Sequence, residues 1–416
     1  MIIRKNMPNI FADVLIIGAG PAGLFTAINI EAKNRQIIIL EKNQCAGKKL
    51  LLTGNGKCNI TNSAAISDFF DYYNHKARKF IRKALFNFDN IALQNFFRNY
   101  DIEFYADADN RIIPKNANAE KIRNILIDCC KAKNIKIHYD EPANKIEIIT
   151  QNAKKKFCVY TDKNIYFADK LVLSTGGCSY PQTGSTGDGY KFAEALGHAI
   201  ITPKPALSQI FIKDFQLSDI AGSSLKTARL IFFRASKKIA ELTGEILITH
   251  KGLSGIPVIN ISREISSGDT IIISFIDNQQ LKFTNNFKQL LHTNQKKSLK
   301  SILKKFELSE RLIEKMLALA SIKTDILVYQ ISKEEKERLL KTLTHFEMTV
   351  LSSGDFNTAM ITAGGIALNE INPATMESLI IPNLYFAGEI LDIDGFSGGF
   401  NLQAAFSTAK LAASNI

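Results

Sequence analysis

The stretch "ADVLIIGAGPAGLFTAINIEAKNRQIIILEKN", residues 12–43, restricts the fold of this chain more than any other. Asp13 to Ile17 is a short apolar run rich in β-branched residues, as a buried parallel strand requires, and such a strand ends at Gly18. From Pro21 the apolar spacing becomes helical, with Ala22, Leu24, Ala27 and Ile28 available for one face. A second apolar strand, Ile37 to Leu40, ends at Glu41. Strand, glycine-rich turn, helix, strand and acid make up the dinucleotide-binding βαβ unit. In such a unit Gly18 permits the tight turn, Gly20 lets the backbone approach a pyrophosphate, and Gly23 lets helix and strand pack closely. The helix N-terminus then faces the phosphates with unpaired N–H groups. Glu41, 18 residues after Gly23, is placed for ribose hydroxyls and would repel a 2′-phosphate, which favours NAD or FAD over NADP.

The remaining bounds come from length and composition. With 416 residues, 46% apolar and 22% charged, the chain has material for two or three folded domains. The net charge of +12 comes mostly from lysines scattered among abundant Asn and Ile. That is a compositional bias rather than a designed phosphate-binding patch, so nucleic acid is not an expected partner. Cys45, Cys58, Cys129, Cys130, Cys158 and Cys178 show no C-x-x-C spacing, and His75, His138, His198, His292 and His345 show no metal spacing. No metal site and no disulfide framework is expected; reduced thiols suit a cytoplasmic protein. The apolar run Val14 to Ile30 contains Gly18, Gly20 and Gly23, lacks a cleavage site, and is followed by no second apolar span. It reads as neither export signal nor membrane anchor.

After the fingerprint the chain enters a long polar loop, "CAGKKLLLTGNGKCNITN", which suits a cofactor larger than a nicotinamide. Gly54 and Gly56 can take positive φ and bring the backbone close to a ligand, while Asn55, Asn59 and Asn62 can satisfy local backbone groups or a cofactor edge. Farther on, "KLVLSTGGCSYPQTGSTGDGYKFAEALGH" gives a strand (Leu171 to Ser174), a glycine pair and a helix from about Asp188. The segment "NLYFAGEILDIDGFSGGFNLQAAFSTAKLAA" repeats that grammar, with a strand Leu384 to Ala387 and an alanine-rich helix from near Asn401. The nucleotide domain is therefore discontinuous. Short alternating strands in residues 205–276 predict a small antiparallel barrel or sheet, and the lysine-rich stretch 285–343 predicts amphipathic helices, one opened by a capping box of Ser332 and Glu335. The expected division is a dinucleotide-binding domain from 1–204 and 357–416, an inserted β domain from 205–280 and 344–356, and a helical insert over 281–343.

The motifs "IIGAGPAGL", "GKKLLLTGNGKCNITN", "STGGCSYPQTGSTGDGY", "THKGLSGIPV" and "AGEILDIDGFSGGFNLQAA" run in order from residue 13 to the C-terminus. In these the chain resembles the aminoacetone-oxidase-like (BaiN/RdsA-type) NAD(P)/FAD-dependent oxidoreductase flavoproteins. It departs in having Ile256 between Gly255 and Pro257, and Lys57 where arginine is common. The resemblance implies an α/β protein with a discontinuous Rossmann-like FAD-binding domain, an inserted β-barrel-like domain and a helical bundle. It places Gly18, Gly20, Pro21, Ala22 and Gly23 around the pyrophosphate, with Glu41 and Lys42 toward the adenosine side. Lys48, Lys49, Leu50 and the loop Asn55, Gly56, Lys57, Cys58, Asn59 and Thr61 run beside the ribityl chain and isoalloxazine. Thr175 and Gly176 pass near the pyrophosphate or adenine, Gly388 and Glu389 approach the ribityl hydroxyls, and Gly399, Phe400, Asn401 and Leu402 aim backbone N–H groups at the flavin pyrimidine oxygen. His250 is the candidate proton donor, although a lone histidine at a strand end is more often structural.

The expected activity is FAD-dependent reduction of a small unsaturated or carbonyl substrate, or of oxygen, with NADH or NADPH as transient co-substrate. A flavin-dependent RNA-modifying enzyme and a non-enzymatic flavin-binding sensor or scaffold are the alternatives. Substrate identity, the choice between NADH and NADPH, and oligomeric state are not legible in the sequence.

Overall fold

The computed structural model describes residues 7–31, 35–151, 154–276 and 280–416; residues 1–6 of the expected N-terminal part and residues 32–34 inside the fingerprint lie outside them. The chain forms two compact units, Met1–Pro205 with Ala359–Ile416, and Ala206–Thr358.

The first unit is built on a seven-stranded sheet. Its first strand, Asn9–Ile17, buries Val14, Leu15, Ile16 and Ile17, and pairs in parallel with Ile37–Leu40 on one side and Ile165–Leu173 on the other. Leu384–Phe386 adds to Ile165–Leu173, also in parallel. The register sets Ile17 opposite both Leu40 and Leu173, and Leu173 opposite Phe386. Four strands therefore end at one level, the carboxyl edge at which open α/β sheets bind ligands. Lys136–His138 extends the parallel part, and a hairpin of Lys145–Gln151 with Lys154–Tyr160 pairs antiparallel along the N-terminal half of Ile165–Leu173. The helix Pro21–Asn29 packs against Ala119–Ala132 and the last helix, Phe400–Ala413. Phe25 and Phe406 meet edge to face at 5.0 Å between them, and the buried alanines Ala404, Ala409, Ala412 and Ala413 keep the last helix close. The elements expected from the glycine motifs are present, with Leu171 onward completing a longer strand and the second helix spanning Asp188–Ala195.

The second unit, among the described residues, is a closed six-stranded antiparallel barrel joined by helices. Alternation decides its strands: in Ser224–Arg234, Leu225, Ala228, Leu230 and Phe232 are buried between more exposed neighbours. The helices Gln280–Thr293, Leu299–Leu303, Glu310–Leu319 and Lys333–Thr344 share one apolar core with the barrel, joining Phe287, Ile313 and Leu339 to Phe232 and Ile271. The capping box forms as the sequence predicts. The Glu335 N–H donates to Ser332 Oγ at 3.1 Å and the Ser332 N–H to Glu335 Oε2 at 2.8 Å. Among the described residues no helix is long and apolar enough to cross a membrane.

Candidate functional site

Across the carboxyl edge of the first unit's sheet lies a cleft with about 1420 Å³ of empty space, part of it open to solvent. The three fingerprint glycines shape it in different ways. Gly18 has φ +101°, and a Cβ there would lie 2.6 Å from the Ser174 carbonyl oxygen, so only glycine lets the turn after Asn9–Ile17 lie this close to the end of Ile165–Leu173. A Cβ on Gly23 would lie 1.9 Å from the Gly18 carbonyl oxygen, which makes Gly23 the contact between helix and turn. Gly20 lines the cleft, and a Cβ there would meet nothing within 4 Å. The helix that follows begins at Pro21 without a side-chain cap, leaving its first N–H groups directed at the cleft end.

Glu41 is buried and bonded on both oxygens, accepting from the Ala19 N–H at 2.9 Å and from the N–H and Nδ2 of Asn43 at 2.9 and 2.7 Å. It thereby ties the glycine turn to the end of the second strand; Oε1 already accepts two bonds, and Oε2 retains lone-pair capacity for a further donor. Lys42 reaches Thr186 Oγ1 at 2.5 Å and Asp188 Oδ2 at 2.6 Å. Burial opposes charge on Asp188, but the bonds from Lys42 and Thr186 prevail and hold its pKa below the usual carboxylate value. Lys48 donates to Asn43 Oδ1 at 3.1 Å. Lys49 donates to Ser179 Oγ and to both oxygens of Glu389. Thr175 also lines the cleft, and its Oγ1 is buried with no hydrogen-bond partner.

Of the residues singled out in the sequence, Gly18, Gly20, Pro21, Ala22, Glu41, Lys42, Lys48, Lys49, Leu50, Thr175, Gly176, Gly388, Glu389, Asn401 and Leu402 line this one cleft. Gly23 stands behind it. The asparagine loop is organised differently: it packs against the start of the last helix. Gly54, Asn55 and Gly56 take φ of 56°, 53° and 85°, and Cys58 follows at 62°. Asn55 and Lys57 are exposed, whereas Cys58 is fully buried. With its amide turned to satisfy both neighbours, Asn59 donates to the Thr61 carbonyl at 2.9 Å and accepts from the Gly399 N–H at 3.0 Å. Thr61 Oγ1 donates to Gln403 Oε1 at 2.6 Å, and Asn62 Nδ2 to the Gly398 carbonyl at 3.0 Å. The Phe400 carbonyl accepts from the Tyr73 hydroxyl at 2.7 Å. His250 belongs to the second unit, exposed in the turn between strands Lys237–Ile248 and Gly252–Ser254.

Sequence reasoning missed several lining residues. Glu141, Pro142 and Ala143 follow Lys136–His138, whose three residues are too few to show a strand pattern. Asp188 was legible as a helix start but not as the partner of Lys42. Asp392 and Asp394, inside the last glycine motif, are both buried. Burial, and next the Asp394 carboxylate, push the Asp392 pKa up to about 6.

A family profile described as "HI0933-like protein Rossmann domain" matches residues 12–415. The chain is 30% identical over 413 residues to a 3-dehydro-bile acid delta(4,6)-reductase of Clostridium scindens, covering 95% of this chain and 97% of that one. It is 28% identical to a ribosomal RNA dihydrouridine synthase of Haemophilus influenzae, with 98% of each chain covered, and 29% identical to a protein of the same description from Escherichia coli, covering 97% and 98%. Among solved structures, a 3-ketosteroid-delta4-(5alpha)-dehydrogenase from Rhodococcus jostii shares the fold at a TM-score of 0.52 and 13% identity over 99% of this chain and 98% of that one. A glycine-turn cleft at the edge of a Rossmann sheet and a full-length family match lead to one assignment: the chain belongs to the HI0933-like family of FAD-dependent flavoprotein oxidoreductases.

Proposed function

We propose that the protein uses NADH or NADPH to reduce a small unsaturated or carbonyl substrate, or oxygen, through FAD held in the first unit's cleft. The observation that carries this reading is the open cleft space at Gly20 beside the uncapped helix start at Pro21, with Glu41 held at the end of the next strand. Unpaired helix N–H groups beside open space fit a phosphate-bearing cofactor. FAD, when bound, supplies hydride transfer at its N5 position. Gly20, Pro21 and Ala22 hold the pyrophosphate against the helix N–H groups, and Glu41 takes ribose hydroxyls. The Lys49–Glu389 pair and Gly388 border the ribityl side, and Asn401 and Leu402 bring the start of the last helix toward the ring. Asn59, Thr61 and Gly399 brace that helix start so that its dipole keeps its aim.

A second reading, reduction of a base in RNA, is favoured by the two relatives named ribosomal RNA dihydrouridine synthase. Anaerobic mixing of the purified protein with NADH and with NADPH, followed by the flavin absorbance, tests the reductase reading directly. Bleaching by one of them is expected. A colourless protein that FAD cannot reconstitute, or a bound flavin that neither nucleotide bleaches, would overturn it.

A further inference from the structure

The helix pair His75–Phe80 and Arg82–Asn87 carries a face that the cleft does not use. Residues 74–87 hold five Lys or Arg and no Asp or Glu. Ala77, Phe80, Ile81, Ala84, Leu85 and Phe88 are buried at helical spacing, which leaves His75, Lys76, Arg78, Lys79, Arg82 and Lys83 exposed on the opposite side. Arg78 pairs with Asp71 at 3.2 Å. The charge of Lys76 acts on the buried Asp392, whereas among the described residues no ion pair engages Lys79, Arg82 or Lys83. An ordinary solvated helix face mixes both signs of charge; this one concentrates one sign and so attracts polyanions.

Two further features give the face a direction and a chemistry. The Arg82 guanidinium lies 5.7 Å from the centre of the Phe70 ring and 5.6 Å from that of Phe86, and Phe86 is 52% exposed. An open ring beside a planar cation is a stacking platform for bases. The chain just before these helices is bonded to the cleft's rim. The Asn74 N–H donates to the Asp394 carbonyl at 3.0 Å and the Phe396 N–H to the Tyr72 carbonyl at 2.8 Å, and the Tyr72 ring stacks on Phe400 at 4.2 Å. Ile393 and Asn401, in the same rim, line the cleft.

We propose that this face docks single-stranded RNA, with phosphates on the lysines and bases on the Phe86–Arg82 platform, and that it leads the strand toward the cleft. The inference rests on the second reading above and names the surface that reading needs. A membrane fits less well: an interfacial helix needs its apolar stripe free, and here that stripe is buried in the protein, leaving Phe86 as the exposed apolar residue of the pair. An acidic peptide would leave the stacking platform unused.

The flavin-loaded full-length protein is titrated into a fluorescein-labelled single-stranded RNA of about 20 nucleotides, and anisotropy is followed from about 50 to about 200 mM salt. Lys79→Ala/Arg82→Ala/Lys83→Ala is expected to weaken binding by at least about tenfold and to make the log–log salt dependence shallower by about 2. Phe86→Ala is expected to weaken binding by about fivefold or more with the salt slope unchanged. Flavin content and flavin reduction by NAD(P)H should stay as in the parent, which also shows that the variants fold. The proposal is overturned if the parent does not bind RNA, if the triple variant with full flavin content binds as tightly as the parent, or if phosphatidylglycerol vesicles bind this face while RNA does not. Flavin that NAD(P)H bleaches in a protein that ignores RNA would remove the docking face and leave the reductase reading standing; failure to hold flavin removes the reductase reading whatever RNA does.

Discussion

The ammonium of Lys49 lies 2.7 Å from Oε2 of Glu389, 340 residues farther along the chain. Glu389 Oε1 also accepts from Ser179 Oγ at 3.0 Å and from the Thr362 N–H at 2.9 Å. One carboxylate thus joins the loop after the second strand, the loop after Ile165–Leu173, the strand Ile361–Ile366 and the C-terminal glycine motif. Both side chains of the pair are 22% exposed, enough shielding for the loss of one partner to matter. Lys49→Met is expected to cost about 1–3 kcal/mol in urea unfolding, because Glu389 keeps its charge without a cation. Combining it with Glu389→Gln should recover about 1 kcal/mol or more relative to additive losses. Strict additivity would show that the pair contributes nothing.

Gly20 and Gly23 should respond differently to substitution. Gly20→Val places its side chain in open cleft space, so the flavin-free variant should unfold within about 0.5 kcal/mol of the parent yet purify without flavin absorbance. Gly23→Ala forces a Cβ against the Gly18 carbonyl and should destabilise by about 1–3 kcal/mol whether or not flavin is present. Denaturant midpoints and flavin content of the two variants decide the matter; a yellow Gly20→Val protein would place the pyrophosphate elsewhere.

Asp392 gives a pH signature. Its folded pKa of about 6 lies above the ordinary 3.8, because burial and the Asp394 carboxylate disfavour its charge against the pull of Lys76 and the Gly364 N–H. The folded state therefore holds this proton more tightly than the unfolded state. Its contribution to stability is full below about pH 4 and is lost as pH rises to about 6. Asp392→Asn should remove that slope and be more stable at pH 7 by about 1–3 kcal/mol. A variant whose pH–stability curve between 4 and 6 parallels the parent's would refute the assignment.

Cys58 is fully buried, and burial pushes its thiol pKa up to about 12 despite the hydrogen bond with Thr53. A thiol held neutral is a poor nucleophile. The folded protein should leave Cys58 unlabelled by iodoacetamide at pH 8, as peptide mass mapping would show. Cys58→Ser should retain flavin and most of the rate of its reduction by NAD(P)H; a variant that binds flavin normally but no longer passes electrons onward would make the cysteine a redox partner.

The fingerprint was legible because its physics is local. Alternation and helical spacing set the strands and helix, and glycines fall where a Cβ would strike backbone within a few residues, as Gly23 does against Gly18. Most of the cleft was legible for the same reason, since each lining motif follows a strand end that the sequence marks with glycine or an acid. The asparagine loop was read toward a cofactor from its composition and resemblance alone. Its bonds to Gly398, Gly399 and Gln403 span more than 300 residues and leave no periodic trace.

The amino-acid sequence by itself thus determined the βαβ unit, the return of the nucleotide domain at the C-terminus, the alternating strands of the second unit and the capped helix at Ser332, because backbone geometry and side-chain period specify these over short spans. The tertiary structure alone decided that Lys49 meets Glu389, that Lys42 meets Asp188, that Thr175 is left with a buried unpaired hydroxyl, and that the basic helices at 75–87 adjoin the cleft's rim. Those relationships depend on four strand ends lying at one level, a register produced by pairing between segments far apart in the chain.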